Sequence, residues 1–309
     1  MKRYLFIFIA FALTLAACQG GQAAPTAISL PTAMPTNPPA EFNPTAAPVA
    51  GKAGEERVSS VDGMTQVYIP EGTFRRGGLD PDAQRTEKPD HNVTIKGFWM
   101  DKLEVTNGMY ARCVQAGACD PPQNFKSQTR ASYFNNSEFN DFPVVYVTWL
   151  QADTYCKWAG RRLPTEAEWE RAARGDDFRT YPWGDARPDS SHGNFNYFVG
   201  DTTRVGSFPA GASPFGILDM AGNVTEWMAD FYDADYYSKG VTVNPPGPGA
   251  RSNYFVRVIR GGNFQDVFKD IRLAKRSSLR GSNPDARDIF SADYLGEFSP
   301  KIGFRCASD

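Results

Sequence analysis

Five cysteines set the limits within which this 309-residue chain can fold. Cys18 closes an apolar N-terminal stretch, whereas Cys113, Cys119, Cys156 and Cys306 lie in the body of the chain. Four cysteines allow three pairings. Cys113 and Cys119 flank a short turn containing Gly117, so a local bridge closes easily. That bridge would leave Cys156 for Cys306, tying a helix near the middle of the chain to its extreme C-terminus. In the entropic picture a loop of that length restrains the unfolded chain by about 5 kcal/mol. The rival readings are four buried thiols or a zinc site. Zinc lacks its ligand spacing, because there is no Cys-x-x-Cys and His91 and His192 each stand alone.

The N-terminus supplies the compartment in which bridges form. Lys2 and Arg3 precede an apolar run from Tyr4 to Ala17. That run falls short of the roughly 20 residues a permanent membrane helix needs and suits the h-region of a signal peptide. Leu15-Ala16-Ala17-Cys18 resembles the lipobox of bacterial lipoproteins. The resemblance implies cleavage before Cys18, diacylglycerol on its thiol and stable anchoring through several acyl chains. The expected location is the cell envelope, at the outer membrane or the cell surface. Export favours disulfides over free thiols. Residues 19–60 repeat Pro, Thr and Ala with few large apolar groups. They cannot bury enough surface to offset the entropy of ordering, and read as an extended stalk.

Residues 61–309 are long enough for one large domain. Glycine and proline recur throughout and long helical patterns are few, which predicts a loop-rich α+β fold. The net charge of -2, with both signs interspersed, argues against a nucleic-acid partner. Val67 to Phe74 reads as strand, glycine turn and strand, and Val93 to Met100 as one strand. Thr106 offers an N-cap to a helix carrying Met109, Tyr110, Cys113 and Val114 at helical spacing. Val144 to Val147 reads as a short buried strand. Thr148 caps a second helix with Trp149, Ala152, Cys156 and Ala159 on one face, ended by Gly160. Thr165 and Glu168 form a capping box for a third, with Ala167, Trp169, Ala172 and Ala173 on its apolar side and Gly175 as its stop. Val256 to Ile259 reads as a strand running into Gly261-Gly262.

Several phrases stand in fixed order: Phe98 to Asn107, Pro143 to Trp149, Arg161 to Glu170, Tyr181-Pro182-Trp183-Gly184, Asp219 to Trp227, Arg260 to Phe264, and Ile302 to Cys306. Together they resemble the formylglycine-generating enzyme family, also called sulfatase-modifying factors, across residues 61–309. The resemblance implies a single complex α+β domain related to C-type lectins. It also implies that the helix cysteine and the C-terminal cysteine pair. Calcium is the cofactor it carries with it. In Gly222-Asn223-Val224-Thr225-Glu226-Trp227, the Asn223 amide, the Glu226 carboxylate and backbone carbonyls such as that of Val224 would offer the hard oxygens calcium takes. A second set, Asn194 and Asp201, departs from the family's spacing.

Enzymes of this family oxidise a cysteine of a sulfatase to formylglycine on copper held by two thiolates, since soft ligands select Cu(I). Those thiolates follow the Gly-Gly phrase, where this chain reads from Asn263 to Arg272 without a cysteine. Asp266 falls near the first position and Phe268 near the second. No copper site is expected. The leading expectation is a non-catalytic surface lipoprotein that binds a glycan, a peptide or an envelope protein. The alternative is an enzyme, either a sulfatase activator or another activity in the same cleft.

Overall fold

Backbone pairing begins earlier than the composition indicates. The computed structural model describes residues 51–249, 255–282 and 295–309; Cys18, its signal segment and most of the stalk lie outside the described residues. The strand β1 (Glu56–Val58) already pairs antiparallel with β2 (Thr65–Ile69), so the domain includes residues that composition assigned to the stalk. Its three side chains are exposed and carry no hydrophobic pattern. What holds it is backbone bonding and Arg57, whose guanidinium lies 4.2 Å from the centre of the Trp99 ring.

The expected strand from Val93 to Met100 is two strands in two sheets. β4 (His91–Ile95) pairs with β3 (Gly72–Arg76), while β5 (Phe98–Asp101) pairs with β2. The break falls at Lys96-Gly97. A Cβ on Gly97 would sit 2.2 Å from the Tyr68 hydroxyl, so the chain turns where only glycine passes. The expected strand at Val144 to Val147 is absent. Val144, Val145 and Val147 are buried as read, but Tyr146 has φ 59°, which extended pairing does not allow.

Three α-helices are described, each started by a threonine. Thr106 caps α1 (Asn107–Gln115) by accepting from the Met109 amide. Thr148 begins α2 (Trp149–Trp158) and Thr165 begins α3 (Glu166–Arg174), both with reciprocal capping boxes. The Gln151 half of the α2 box was not anticipated. Such caps contribute about 1 kcal/mol each. Gly160 and Gly175 follow α2 and α3 at φ 71° and 76°.

The remaining strands complete the sheets. β6 (Thr225–Phe231), β7 (Val256–Arg260) and β8 (Ser277–Arg280) are antiparallel neighbours; β9 (Ile302–Gly303) adds to β6 in parallel, giving the order β8-β7-β6-β9. β10 (Ala307–Ser308) pairs with β5, giving β1-β2-β5-β10. One core cluster gathers α1, α2 and both bridges around Tyr110, Tyr155, Trp227 and Phe304. The second packs α3 between the first sheet, β3-β4 and β7. The bridges Cys113–Cys119 and Cys156–Cys306 have Cα separations of 5.3 and 5.6 Å.

Helix α3 departs from the amphipathic pattern: all nine of its residues are buried, charged ones included. Glu166 meets Arg76 at 2.7 Å, Arg276 at 2.8 Å and Arg260 at 2.9 Å. Glu170 meets Arg260 at 2.7 Å and Arg174 at 3.0 Å, and accepts from the Gly77 amide. Burial alone would raise the Glu166 carboxyl, but Arg276, Arg76 and Arg260 outweigh it and hold it at about 2. No helix among the described residues is long and apolar enough to cross a membrane.

Candidate functional site

The segment after β7 is built by two glycines. Gly261 and Gly262 have φ 91° and 69°, and a Cβ on Gly262 would come within 2.9 Å of Ile271 and 3.1 Å of the Asp270 carbonyl. Only glycine lets the loop fold back so closely on itself. Asn263, buried beneath it, donates its backbone N–H and its side-chain Nδ2 to Asp266 Oδ2 at 3.0 and 2.7 Å, and also reaches the Thr225 hydroxyl. The Asp266 amide returns to the Asn263 carbonyl, and the Asp270 amide to that of Val267. Arg272 closes the far end through Glu87 and Asp80, at 2.9 Å to each. The result is a closed, internally bonded loop.

A second segment lies against it. The Asn196 amide donates to the Asp266 carbonyl and the Tyr197 amide to that of Phe264, both at 2.8 Å. Asn196 and Tyr197 hold φ 49° and 57°, a conformation that costs a bulky residue about 1–2 kcal/mol. The strained pair turns Tyr197, Phe198 and Val199 outward, with 60%, 47% and 53% of their surfaces exposed. Beneath them Phe195 is buried against the Phe198 ring. On the other flank the Tyr181 hydroxyl donates to the Phe268 carbonyl, and Tyr181, Trp183 and His192 stack in turn. Phe268 itself is 46% exposed, with the Arg187 guanidinium 6.0 Å from its ring centre.

Phe268 thus lies on the surface of this loop and Asp266 is partly buried within it, and neither offers copper a soft ligand. Burial pushes the Asp266 carboxyl upward, opposed by the Asn263 amide and reinforced by Asp270. The four cysteines of the described residues are all in bridges, so no thiol there is available to a metal. The residues present do not fit the family's copper.

The first expected calcium set lies in a network of buried hydrogen bonds. Glu226 is fully buried and its carboxylate takes Arg305 at 2.7 and 2.8 Å and the Trp169 indole N–H at 2.9 Å. These bonds engage both oxygens of the residue expected to ligate the cation. Asn223 Oδ1 accepts from the Thr203 amide and hydroxyl, and its Nδ2 donates to Glu104 at 2.5 Å. The backbone of Val224 likewise donates to Glu104, at 3.1 Å. Glu104, quoted in the sequence only as part of a phrase, is the hub here. Burial, with Asp219 and Glu226 nearby, pushes its carboxyl well above the usual range.

The second set keeps one unmet acceptor. Asn194 donates to the Asp201 carbonyl at 2.7 Å and reaches Asn223 at 3.3 Å, but its buried Oδ1 has no partner. The Asp201 carboxylate accepts from Ser127, Thr129 and Thr202. Burial raises it, yet the Ser127 and Thr129 bonds outweigh burial and hold it below its ordinary value. Among the described residues no three His, Cys, Asp or Glu gather to hold a metal ion. His192 is taken up by Trp183 and Asp189, and His91 lies edge-on to Tyr237.

Two clefts lie elsewhere. One of about 540 Å³ is lined by residues including Arg85, Lys88, Pro89 and Asp235, and one of about 230 Å³ by Gly77, Gly78, Arg174 and Phe178 among others. The second touches Ala274, near the end of the segment from Asn263 to Lys275, and neither includes a residue from Asn263 to Asp270.

Comparison with known proteins agrees with this geometry. Residues 50–309 match the model of the sulfatase-modifying factor enzyme 1-like domain. The chain is 35% identical over 254 residues to serine/threonine-protein kinase Pkn1 of Chlamydia trachomatis, covering 79% of this chain but only 38% of the kinase. It is 31% identical over 322 residues to the formylglycine-generating enzyme of Streptomyces coelicolor, covering 86% of this chain and 95% of that enzyme. Among solved structures, PvdO from Pseudomonas aeruginosa superposes with a TM-score of 0.67 at 25% identity, covering 84% of this chain and all of PvdO. The two-bridge architecture, the capped helices and a family match from residue 50 to the C-terminus lead to one conclusion: this chain belongs to the sulfatase-modifying factor family of formylglycine-generating-enzyme-like proteins.

Proposed function

We infer that this is a non-catalytic member of the family, a lipid-anchored envelope protein whose domain binds a ligand outside the cell. The observation that carries the reading is the loop from Asn263 to Lys275. It holds no thiol, closes on its own backbone, and presents Asp266 and Phe268 where the family's copper ligands are expected. A closed loop with an exposed aromatic rim suits surface recognition, whereas chemistry needs a concave site with converging polar groups. Anchoring rests on the lipobox at Cys18, and the stalk would hold the domain away from the lipid.

Calcium enters the reading as a structural ion at Asn194, whose unpartnered Oδ1 is the kind of oxygen it takes. Adding a chelator to the full chain should lower its melting temperature, and calcium should restore it. An unchanged melting temperature removes calcium from the proposal.

The catalytic alternative has a direct test. The full chain, loaded with Cu(I), is incubated aerobically with a peptide carrying the family's Cys-x-Pro-x-Arg target, and mass spectrometry follows conversion of the thiol to the aldehyde. No conversion and no tight copper binding are expected. Conversion would show that the metal is held without a cysteine pair and would replace binding by oxidation.

A further inference from the structure

The β3-β4 sheet, on which the binding reading does not draw, carries a device of its own. We propose that residues 241–249 form a strap over the edge of β4, and that ionisation of Asp230 beneath Gly247 releases it.

The strap covers backbone groups that β4 turns away from β3. The Thr94 amide donates to the Thr242 carbonyl at 2.7 Å, and the Thr94 carbonyl accepts from the Asn244 amide at 2.8 Å. Just beyond the strand, the Lys96 amide donates to Asn244 Oδ1 at 2.7 Å. Ladder bonds alternate in direction, so Asn92 presents its backbone to the same edge as Thr94. The strap has little else to hold it. Pro245, Pro246 and Pro248 have no N–H to give. Val241, Thr242 and Val243 are exposed, and Asn244 sits at φ 41°, a strained value for a residue with a Cβ.

The far end of the strap lies directly on a buried carboxyl. Gly247 is buried at φ 79°, and a Cβ there would fall 2.6 Å from Asp230 Oδ1. Asp230, on β6, is 2% exposed. Its Oδ2 accepts from the Glu166 amide at 2.8 Å, but its Oδ1 has no partner, and neither has the buried Tyr236 hydroxyl. The charged and titratable groups that act on Asp230, or on which it acts, are Glu166 and Glu168 of α3, Arg76 of β3, Arg257 of β7 and Tyr236. Burial and the Glu166 charge push the carboxyl up to about 7, against the Glu166 amide and Arg76. A neutral Asp230 tolerates an unbonded Oδ1, whereas an ionised one requires donors or water. Around it, α3 is fixed by its ion pairs and β3 and β6 by their ladders, while the strap hangs on three hydrogen bonds to the β4 edge. Water therefore enters where the strap lifts. Lifting returns the carboxyl toward its ordinary 3.8, so the closed strap is favoured in acid and loses ground as pH rises from about 4 to 7. Release leaves the β4 edge open at Asn92, Thr94 and Lys96.

The test is hydrogen exchange of the full chain at pH 5 and pH 8, corrected for the intrinsic exchange rate. The Thr94, Lys96 and Asn244 amides should lose protection by about tenfold per pH unit while Asp230 titrates, and the amides within α2 should keep theirs. In Asp230→Asn the three amides should be equally protected at both values. Gly247→Ala, whose Cβ has no room above Asp230, should lower their protection at both. Equal protection at the two pH values in the unsubstituted chain overturns the proposal, and so does a pH dependence that survives in Asp230→Asn. Loss of protection shared with α2 also overturns it, because the domain would then be unfolding as a whole. Should Asp230→Asn fail to fold, Gly247→Ala decides: protection in acid equal to that of the unsubstituted chain overturns the strap.

Discussion

Two stretches separated by a glycine pair handle charge in opposite ways. β7 ends at Arg260, whose guanidinium is fully buried between Glu166 and Glu170. A few residues later the loop carries Asp266, Lys269 and Asp270 at or near the surface, bonded within the loop or open to water. The first region is a scaffold of desolvated ions in which every member depends on the others. The second is a platform whose side chains can change without leaving a buried charge stranded. A domain that keeps the first and varies the second can preserve its fold while changing what it recognises. Family membership therefore speaks for the scaffold, and the loop speaks for the function.

That contrast can be broken by experiment, beginning where the effect is largest. Cys156→Ser with Cys306→Ser should destabilise the domain by about 5 kcal/mol, read as a fall in melting temperature of roughly 10–20 °C. Glu166→Gln should cost about 3–5 kcal/mol, because Arg76, Arg260 and Arg276 would share the loss of a buried partner. A loss under 1 kcal/mol would show that the network is not the scaffold described here.

Proton linkage gives the next test. Burial, then the charge of Glu166, pushes the Asp230 carboxyl up to about 7. Between the ordinary carboxyl value of 3.8 and that value the folded state binds more protons than the unfolded one, so stability should fall as pH rises from about 4 to 7. Glu166 acts in the other direction: its folded value near 2 contributes stability above 4.5 that is lost as pH falls toward 2. Melting temperature should thus peak at mildly acidic pH, and Asp230→Asn should flatten the decline toward neutrality. An unaltered profile would remove Asp230 from the account.

The smallest effects belong to the rim. Phe268→Ser should change stability by less than about 0.5 kcal/mol. Tyr197→Gly should stabilise slightly, by up to about 1 kcal/mol, since glycine adopts φ 57° without a Cβ clash. A loss above about 2 kcal/mol at either position would make the rim part of the scaffold and erase the distinction.

Sequence reading succeeded where the cause is local. Thr106, Thr148 and Thr165 were legible as caps because a cap is decided within four residues. The bridge partners were legible because four cysteines leave few choices. The split at Gly97 was not, because its reason is a hydroxyl brought up by Tyr68 from another strand. β1 was missed because its pairing is made by backbone and its exposed side chains carry no pattern. At the site, an asparagine followed by a glutamate reads as a pair of oxygen ligands. Only the fold brings up Arg305, 79 residues further on, as an ion-pair partner of Glu226. The Glu104 hub was hidden for the same reason, since its partner Asn223 lies 119 residues away.

The placement of the last residues has a consequence for the order in which the molecule can be made. β9 completes the sheet around β6, Arg305 neutralises Glu226, Cys306 closes the long bridge and β10 forms the edge of the other sheet. All four are supplied by residues 302–308. Until that short segment docks, both of these sheets lack an edge strand and Glu226 lacks its guanidinium, so completing the sheets, pairing the buried carboxylate and closing the long bridge belong to one late event.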